Sequence, residues 1–299
     1  MDDRFADLHF RLGRCALAAG QPELARKHFT LARDWDALQF RTDARLNQIV
    51  RDRIARRSDP GLLLVDAERA FAESPWAEQG IPGERVFHEH VHLKFDGDHL
   101  LAQTFFPVVV QALNLTNASQ SPANTTASNL SRQECAAALA FSEWDEISVA
   151  AAILRMTAKP PFLDQLEHAE RQARAEQNLT ERGKVFQQRE GFKRAAETYR
   201  AALARRPADW QLHYNFGTLL NDFGDKPAAA TEFSTAVRFM PVFPALRVVL
   251  AQVLWDLGRR DEAKHHLKEA VRLAPDYLPA QNALAQAGGG RVTGGRPVR

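Results

Sequence analysis

Residues 217–241 read GTLLNDFGDKPAAATEFSTAVRFMP, and 34 residues further on 251–275 read AQVLWDLGRRDEAKHHLKEAVRLAP. One step back, residues 183–207 read GKVFQQREGFKRAAETYRAALARRP. Laid over one another without a gap, the three blocks form five matched columns. These are Gly183, Gly217 and Ala251; Ala195, Ala229 and Ala263; Tyr199, Phe233 and Leu267; Ala202, Ala236 and Ala270; and Pro207, Pro241 and Pro275. A fixed period of this length is the signature of stacked helix pairs. Small residues belong where the two helices of a pair cross closely, large apolar ones fill the space to the next pair, and proline stops the second helix. The expected class is mainly α.

In length and column chemistry the blocks resemble the tetratricopeptide repeat. The resemblance implies a superhelix of helix pairs over residues 176–287, three repeats followed by a capping helix at Leu278–Ala287. It also implies a protein or an extended peptide as partner, held along the first helix of each repeat. The family's groove positions fall here on Gln177, Thr180, Lys184 and Gln187; on Gln211, Tyr214, Thr218 and Asn221; and on Ala245, Val248, Gln252 and Trp255. That face is rich in amides and hydroxyls and suits hydrogen bonding to a peptide backbone. The Lys/Asn/Arg carboxylate clamp of chaperone-binding arrays is not reproduced, which disfavours a chaperone tail.

Composition narrows the remaining classes. Apolar residues make up 45% and charged residues 25% of the 299, enough apolar content for a packed core. A net charge of +2 gives no electrostatic argument for nucleic acid. The basic run Arg51–Arg57 reads as a solvated helix face. Cys15 and Cys135 are the two cysteines, too few for a disulfide framework or a zinc pattern, and Cys15 reads as a buried structural thiol. No secretory leader is visible at Met1–Asp7, and no stretch reaches the roughly 18 apolar residues of a membrane helix. The expectation is a cytoplasmic protein with no membrane span.

Upstream of the repeats the chain divides further. Residues 1–36 hold an isolated repeat-like helix pair: Leu12-Gly13, Ala25, Phe29 and Ala32 carry the repeat offsets, and Gly20 marks the turn. Residues 37–113 read as a partial α/β segment with one or two short strands. A helix over Thr42–Arg57 is followed by the apolar run Leu62–Asp66, which has the look of a buried parallel strand, then by a helix near Ala67–Ala72 and another opening at Gly97. Residues 114–132 are Asn-, Ser- and Thr-rich and read as a flexible linker; its Asn117-Ala118-Ser119 triplet reads as polar loop. Connecting helices are expected over 133–175, one from Glu134 to Thr157 and one from Phe162 to Gln177. A disordered Gly/Arg tail is expected over 288–299.

Candidate chemistry gathers in one place. Four of the ten histidines lie between His88 and His99. In an extended segment His88, His90 and His92 would share a face, a spacing able to hold zinc, yet no cysteine or second ligand group accompanies them and no metal is expected. The stretch from Phe40 through Leu64-Val65-Asp66 to Glu89-His90-Val91-His92 and Gly97 resembles the last part of an SGNH (GDSL-type) hydrolase. Some bacterial proteins join such a hydrolase to tetratricopeptide repeats. The family's late acidic-x-x-His motif is matched by Glu89 and His92, implying His92 as general base toward a serine and Glu89 as the group that orients it. The family's Gly-Asp-Ser block does not occur, because the two Gly-Asp pairs continue as His99 and Lys226. Two functions follow: a non-catalytic interaction scaffold with a degenerate hydrolase segment, or the C-terminal portion of a serine esterase whose nucleophile is missing or upstream. Neither implies a cofactor.

Overall fold

The computed structural model describes residues 4–57, 59, 61–113, 130–188 and 190–288. These fall into two compact units, residues 1–135 with 157–169, and residues 136–156 with 170–299.

The first unit opens with α1 (Ala6–Ala18) and α2 (Pro22–Asp34), a tightly packed antiparallel pair. A Cβ on Gly13 would come within 2.7 Å of the Phe29 ring, so glycine is what lets the helices close. Gly20 turns the chain with φ +69°, a region that L side chains rarely adopt. Cys15 is exposed on α1, which corrects the expectation of a buried thiol. α3 (Ala44–Ala55) is capped by Asp43, whose carboxylate accepts from the Leu46 amide at 2.7 Å.

The apolar run Leu62–Asp66 does not form the expected strand. A parallel strand needs a neighbour to satisfy its backbone groups, and no neighbouring strand lies beside this run among the described residues. Asp66 instead caps α4 (Ala67–Ala72) by accepting from the Arg69 amide at 3.1 Å. It also takes both arms of Arg51, at 2.7 and 2.9 Å, while Glu68 bridges Arg51 at 2.8 Å and Arg33 at 2.6 Å. Arg51 is therefore paired rather than part of a solvated face, and its guanidinium holds the Asp66 carboxyl below the usual carboxylate range.

The two short strands are β1 (Ala77–Glu78) and β2 (Ile81–Pro82), antiparallel, with Ala77 opposite Pro82. Gln79 and Gly80 both carry positive φ, the geometry of a two-residue hairpin turn. The histidine-rich stretch folds back on itself, with Lys94 donating to Val86 at 2.9 Å and His88 to His92 at 2.8 Å. α5 (Phe95–Ala112) then packs close enough that a Cβ on Gly97 would sit 2.4 Å from the Val86 carbonyl oxygen.

Of the stretch read as a linker, Leu130, Ser131 and Arg132 are described, and they are tied down. Leu130 accepts from His99 at 2.9 Å. Ser131 and Glu134 form a reciprocal capping box for α6 (Arg132–Leu139), at 2.8 and 3.2 Å. The rest of that stretch, and the tail beyond Gly288, lie outside the described residues.

In the second unit the single helix expected over Glu134–Thr157 is two. Ala140 takes φ +54° after α6, and α7 (Glu143–Thr157) begins beyond Ser142, which donates to Asp145 through its amide (2.8 Å) and hydroxyl (2.6 Å). The next helix, α8 (His168–Gln188), starts later than Phe162 and precedes α9 (Gly191–Arg205). The helices that follow are α10 (Trp210–Asp222), α11 (Lys226–Phe239), α12 (Pro244–Asp256), α13 (Arg260–Leu273) and α14 (Leu278–Ala287). α10 pairs with α11 and α12 with α13. Asp209 and Asp225 cap α10 and α11, and Gly224 (φ +85°) and Gly258 (φ +78°) turn the chain within the two pairs. Ala195, Ala229 and Ala263 are all buried, as are Tyr199, Phe233 and Leu267 in the large-residue column. Each fully buried side chain of that size contributes about 1.5–3 kcal/mol.

The first block departs from its siblings. Gly217 is pressed against Phe233, a would-be Cβ lying 2.8 Å from the ring, but a Cβ on Gly183 would meet nothing within 4 Å. Tyr199, at the position of Phe233, stacks on Phe216 (centroids 5.5 Å) and donates its hydroxyl to Asp145 at 2.5 Å. The slot filled by Gly224 and Gly258 is taken by Glu190, also left-handed at φ +51°.

Candidate functional site

The groove positions keep helical spacing, so Gln211, Tyr214, Thr218 and Asn221 share one face of α10, and Ala245, Val248, Gln252 and Trp255 share one face of α12. Gln211 and Gln252 are exposed, whereas Tyr214, Thr218, Asn221 and Trp255 are half-buried. Tyr214 packs its ring on Phe233 at 5.8 Å, and the guanidinium of Arg260 lies over Trp255 at 5.3 Å. Val248 is buried and belongs to the core. On α8, Gln177, Thr180, Lys184 and Gln187 are exposed. The Thr180 and Thr218 hydroxyls donate to the carbonyls of Glu176 and Tyr214, at 2.8 and 3.0 Å. Their protons are thus used within the helix, and their lone pairs remain as acceptors for an incoming N–H.

The histidine loop builds a different site around Glu89. Its carboxylate accepts from the amides of Val91 (3.0 Å) and His92 (2.8 Å) and meets the Nδ1 of His92. His90 Nδ1 lies against the same carboxylate without hydrogen-bond alignment, its ring wedged between Phe40 (5.2 Å) and Phe162 (5.5 Å). Burial pushes the Glu89 carboxyl up, but the His92 ring and the two amides outweigh it and leave the group below its ordinary range. Burial holds His88 and His90 below the usual imidazole range. The Glu89–His92 couple is therefore present as a geometric pair. Among the described residues no serine hydroxyl is bonded to the His92 ring, no strand from Leu62 to Asp66 supports it, and no group of three or more His, Cys, Asp or Glu converges to hold a metal.

Sequence reading missed a second set of polar contacts, made between helices. His213 in α10 reaches Glu232 in α11 (Nδ1 to Oε2, 2.6 Å), and Arg247 in α12 reaches His266 in α13 at 3.5 Å. His9 in α1 faces His28 in α2, Nδ1 to Nδ1, at 3.1 Å. Each couple is separated by nineteen residues, and His9 and His28 stand six periods of 34 before His213 and Glu232. The signal was available as a polar residue four places before the small residue of each first helix. A related column also escaped: His213, Arg247 and Gln281 each donate to the carbonyl of the proline six residues earlier, Pro207 (3.0 Å), Pro241 (3.0 and 3.2 Å) and Pro275 (2.5 Å).

Models of the tetratricopeptide repeat match residues 180–241 and 244–287. The C-terminal region thus carries tetratricopeptide repeats, in agreement with its helix pairs. Among solved structures, a thermophilic TPR protein of Thermus thermophilus, TTC0263, aligns at 15% identity over 94% of this chain and 98% of its own, with a TM-score of 0.35. The TPR2AB domain of yeast Sti1, solved as a pHSP90 complex, aligns at 14% identity over 95% and 98%, with a TM-score of 0.30. The MamA protein aligns at 17% identity over 47% and 80%, with a TM-score of 0.31. No curated protein matches the chain. None of these matches supports the resemblance of residues 34–113 to a hydrolase, and the few-residue hairpin there is not the sheet of an α/β domain. No helix of the described residues is long and apolar enough to cross a membrane.

Proposed function

We propose that this chain is a protein-interaction scaffold whose repeats hold an extended peptide along the faces of α8, α10 and α12. The observation that carries the reading is the match of residues 180–241 and 244–287 to tetratricopeptide repeats, together with amides and back-bonded hydroxyls on those faces. Gln211, Asn221 and Gln252 supply amide donors and acceptors, Thr180 and Thr218 supply acceptors, and Tyr214 and Trp255 supply apolar walls. Lys184 and Gln187 extend the surface on α8. A displayed peptide library tests this. Selection on the intact chain should enrich a peptide class that the Asn221→Ala, Gln252→Ala double variant fails to retain at unchanged thermal stability. Equal enrichment by both proteins would remove the groove from the reading.

A second reading rests on the Glu89–His92 pair: a hydrolase remnant that oriented an imidazole toward a serine supplied from elsewhere. On the scaffold reading the chain does not hydrolyse small esters above a His92→Ala control. A rate that depends on His92 would favour the hydrolase instead.

A further inference from the structure

The three inter-helix couples differ in what they join. His213 meets a carboxylate and His266 meets a guanidinium, but His9 meets a second imidazole, with ring centroids 5.3 Å apart and planes inclined by 27°. Two neutral imidazoles facing through Nδ1 can place only one proton between them, so one ring donates and the other offers its lone pair. Remove that proton and two lone pairs face one small volume. Imidazole nitrogens bind a first-row divalent metal at about 2.0–2.1 Å, so two cis ligands stand roughly 2.8 Å apart at a right angle and roughly 3.3 Å apart in a tetrahedron. The 3.1 Å between His9 and His28 lies inside that range.

We propose that His9 and His28 form a bis-imidazole chelate for a divalent transition metal ion, copper(II) foremost, that clasps α1 to α2. Among the described residues no third His, Cys, Asp or Glu joins them in a group able to hold a metal. His9 is buried and His28 half-buried, which gives the ion an approach on the His28 side. With imidazole ligands and no thiolate, affinity follows the order zinc below copper and nickel below copper. Because the ligands sit on two helices, the metal binds the folded pair and not the separated one, and binding stabilises the pair.

The test uses the full chain stripped of metal and titrated with copper(II), zinc and nickel, followed by calorimetry and by hydrogen exchange at α1 and α2. One equivalent of copper should bind and slow exchange in those two helices. The His9→Arg variant recreates the arginine–histidine couple of α12 and α13, so it keeps a compatible contact while removing a ligand. It should weaken copper binding on the order of tenfold or more, a shift of about 1.4 kcal/mol or greater. His28→Gln should do the same. Copper affinity unchanged in both variants, or protection appearing at the His88–His92 loop rather than at α1 and α2, would overturn the assignment, as would no binding at all.

Discussion

Gly217 lies under the ring of Phe233 so closely that a Cβ would stand 2.8 Å from it, while Gly183, the same column one period earlier, faces open space. One column therefore holds two unlike glycines. Gly217→Ala should overpack the α10–α11 crossing and cost roughly 1–3 kcal/mol. Gly183→Ala should instead gain about 0.5–1 kcal/mol, the ordinary advantage of alanine inside a helix. Urea denaturation midpoints moving in opposite directions would bear this out; a loss at both positions would place Gly183 against a neighbour.

The left-handed turn residue points to a simple improvement. Glu190 occupies at φ +51° the slot that Gly224 and Gly258 fill in the following pairs. An L side chain there costs roughly 1–2 kcal/mol. Its contact with Lys193 at 3.8 Å is exposed and offsets little of that. Glu190→Gly should raise stability by about 1 kcal/mol, read as a higher thermal midpoint.

A partly buried hydrogen bond ties α7 to α9. Tyr199 is fully buried and donates to Asp145 at 2.5 Å; burial first, and the Asp145 carboxylate after it, push its phenol far above the ordinary range. Tyr199→Phe keeps the stacking on Phe216 and removes the donor. It should cost about 1.5–3 kcal/mol, the range for hydrogen bonds to charged groups. A loss below ~0.5 kcal/mol would mean that solvent replaces the hydroxyl on Asp145 without penalty.

Acid should weaken the α12–α13 pair through His266. Burial, and then the charges of Arg247 and His265, hold its imidazole below the unfolded value of about 6.5. The folded state thus binds fewer protons than the unfolded one. Stability is intact above pH ~6.5, falls as pH drops below it, and levels off once the folded value is passed. In His266→Gln the dependence of the urea midpoint on pH should be flatter over that window. An identical slope in both proteins would remove His266 from the acid response.

What could be read from the sequence followed range along the chain. The five columns made the helix-pair architecture legible because each column reports a local requirement, such as a small residue at a crossing or a proline after a helix. The run Leu62–Asp66 misled for the opposite reason. Its composition suits a strand, but a strand exists only beside another, and among the described residues none lies beside it, so Asp66 serves as a cap instead. The Glu89–His92 contact was legible from three-residue spacing. The couples at His9, His213 and Arg247 were legible only as a column of polar residues four places before the small one, since each contact depends on two helices already packed.

The carbonyl clasps at Pro207, Pro241 and Pro275 use an imidazole, a guanidinium and a carboxamide for one task. What the position selects is reach: a nitrogen donor on a side chain long enough to bend back over its own helix start. A comparison that scores residue identity would rate this column as free to drift. In the molecule it is a joint, and each turn between successive pairs is braced by whichever donor happens to stand there.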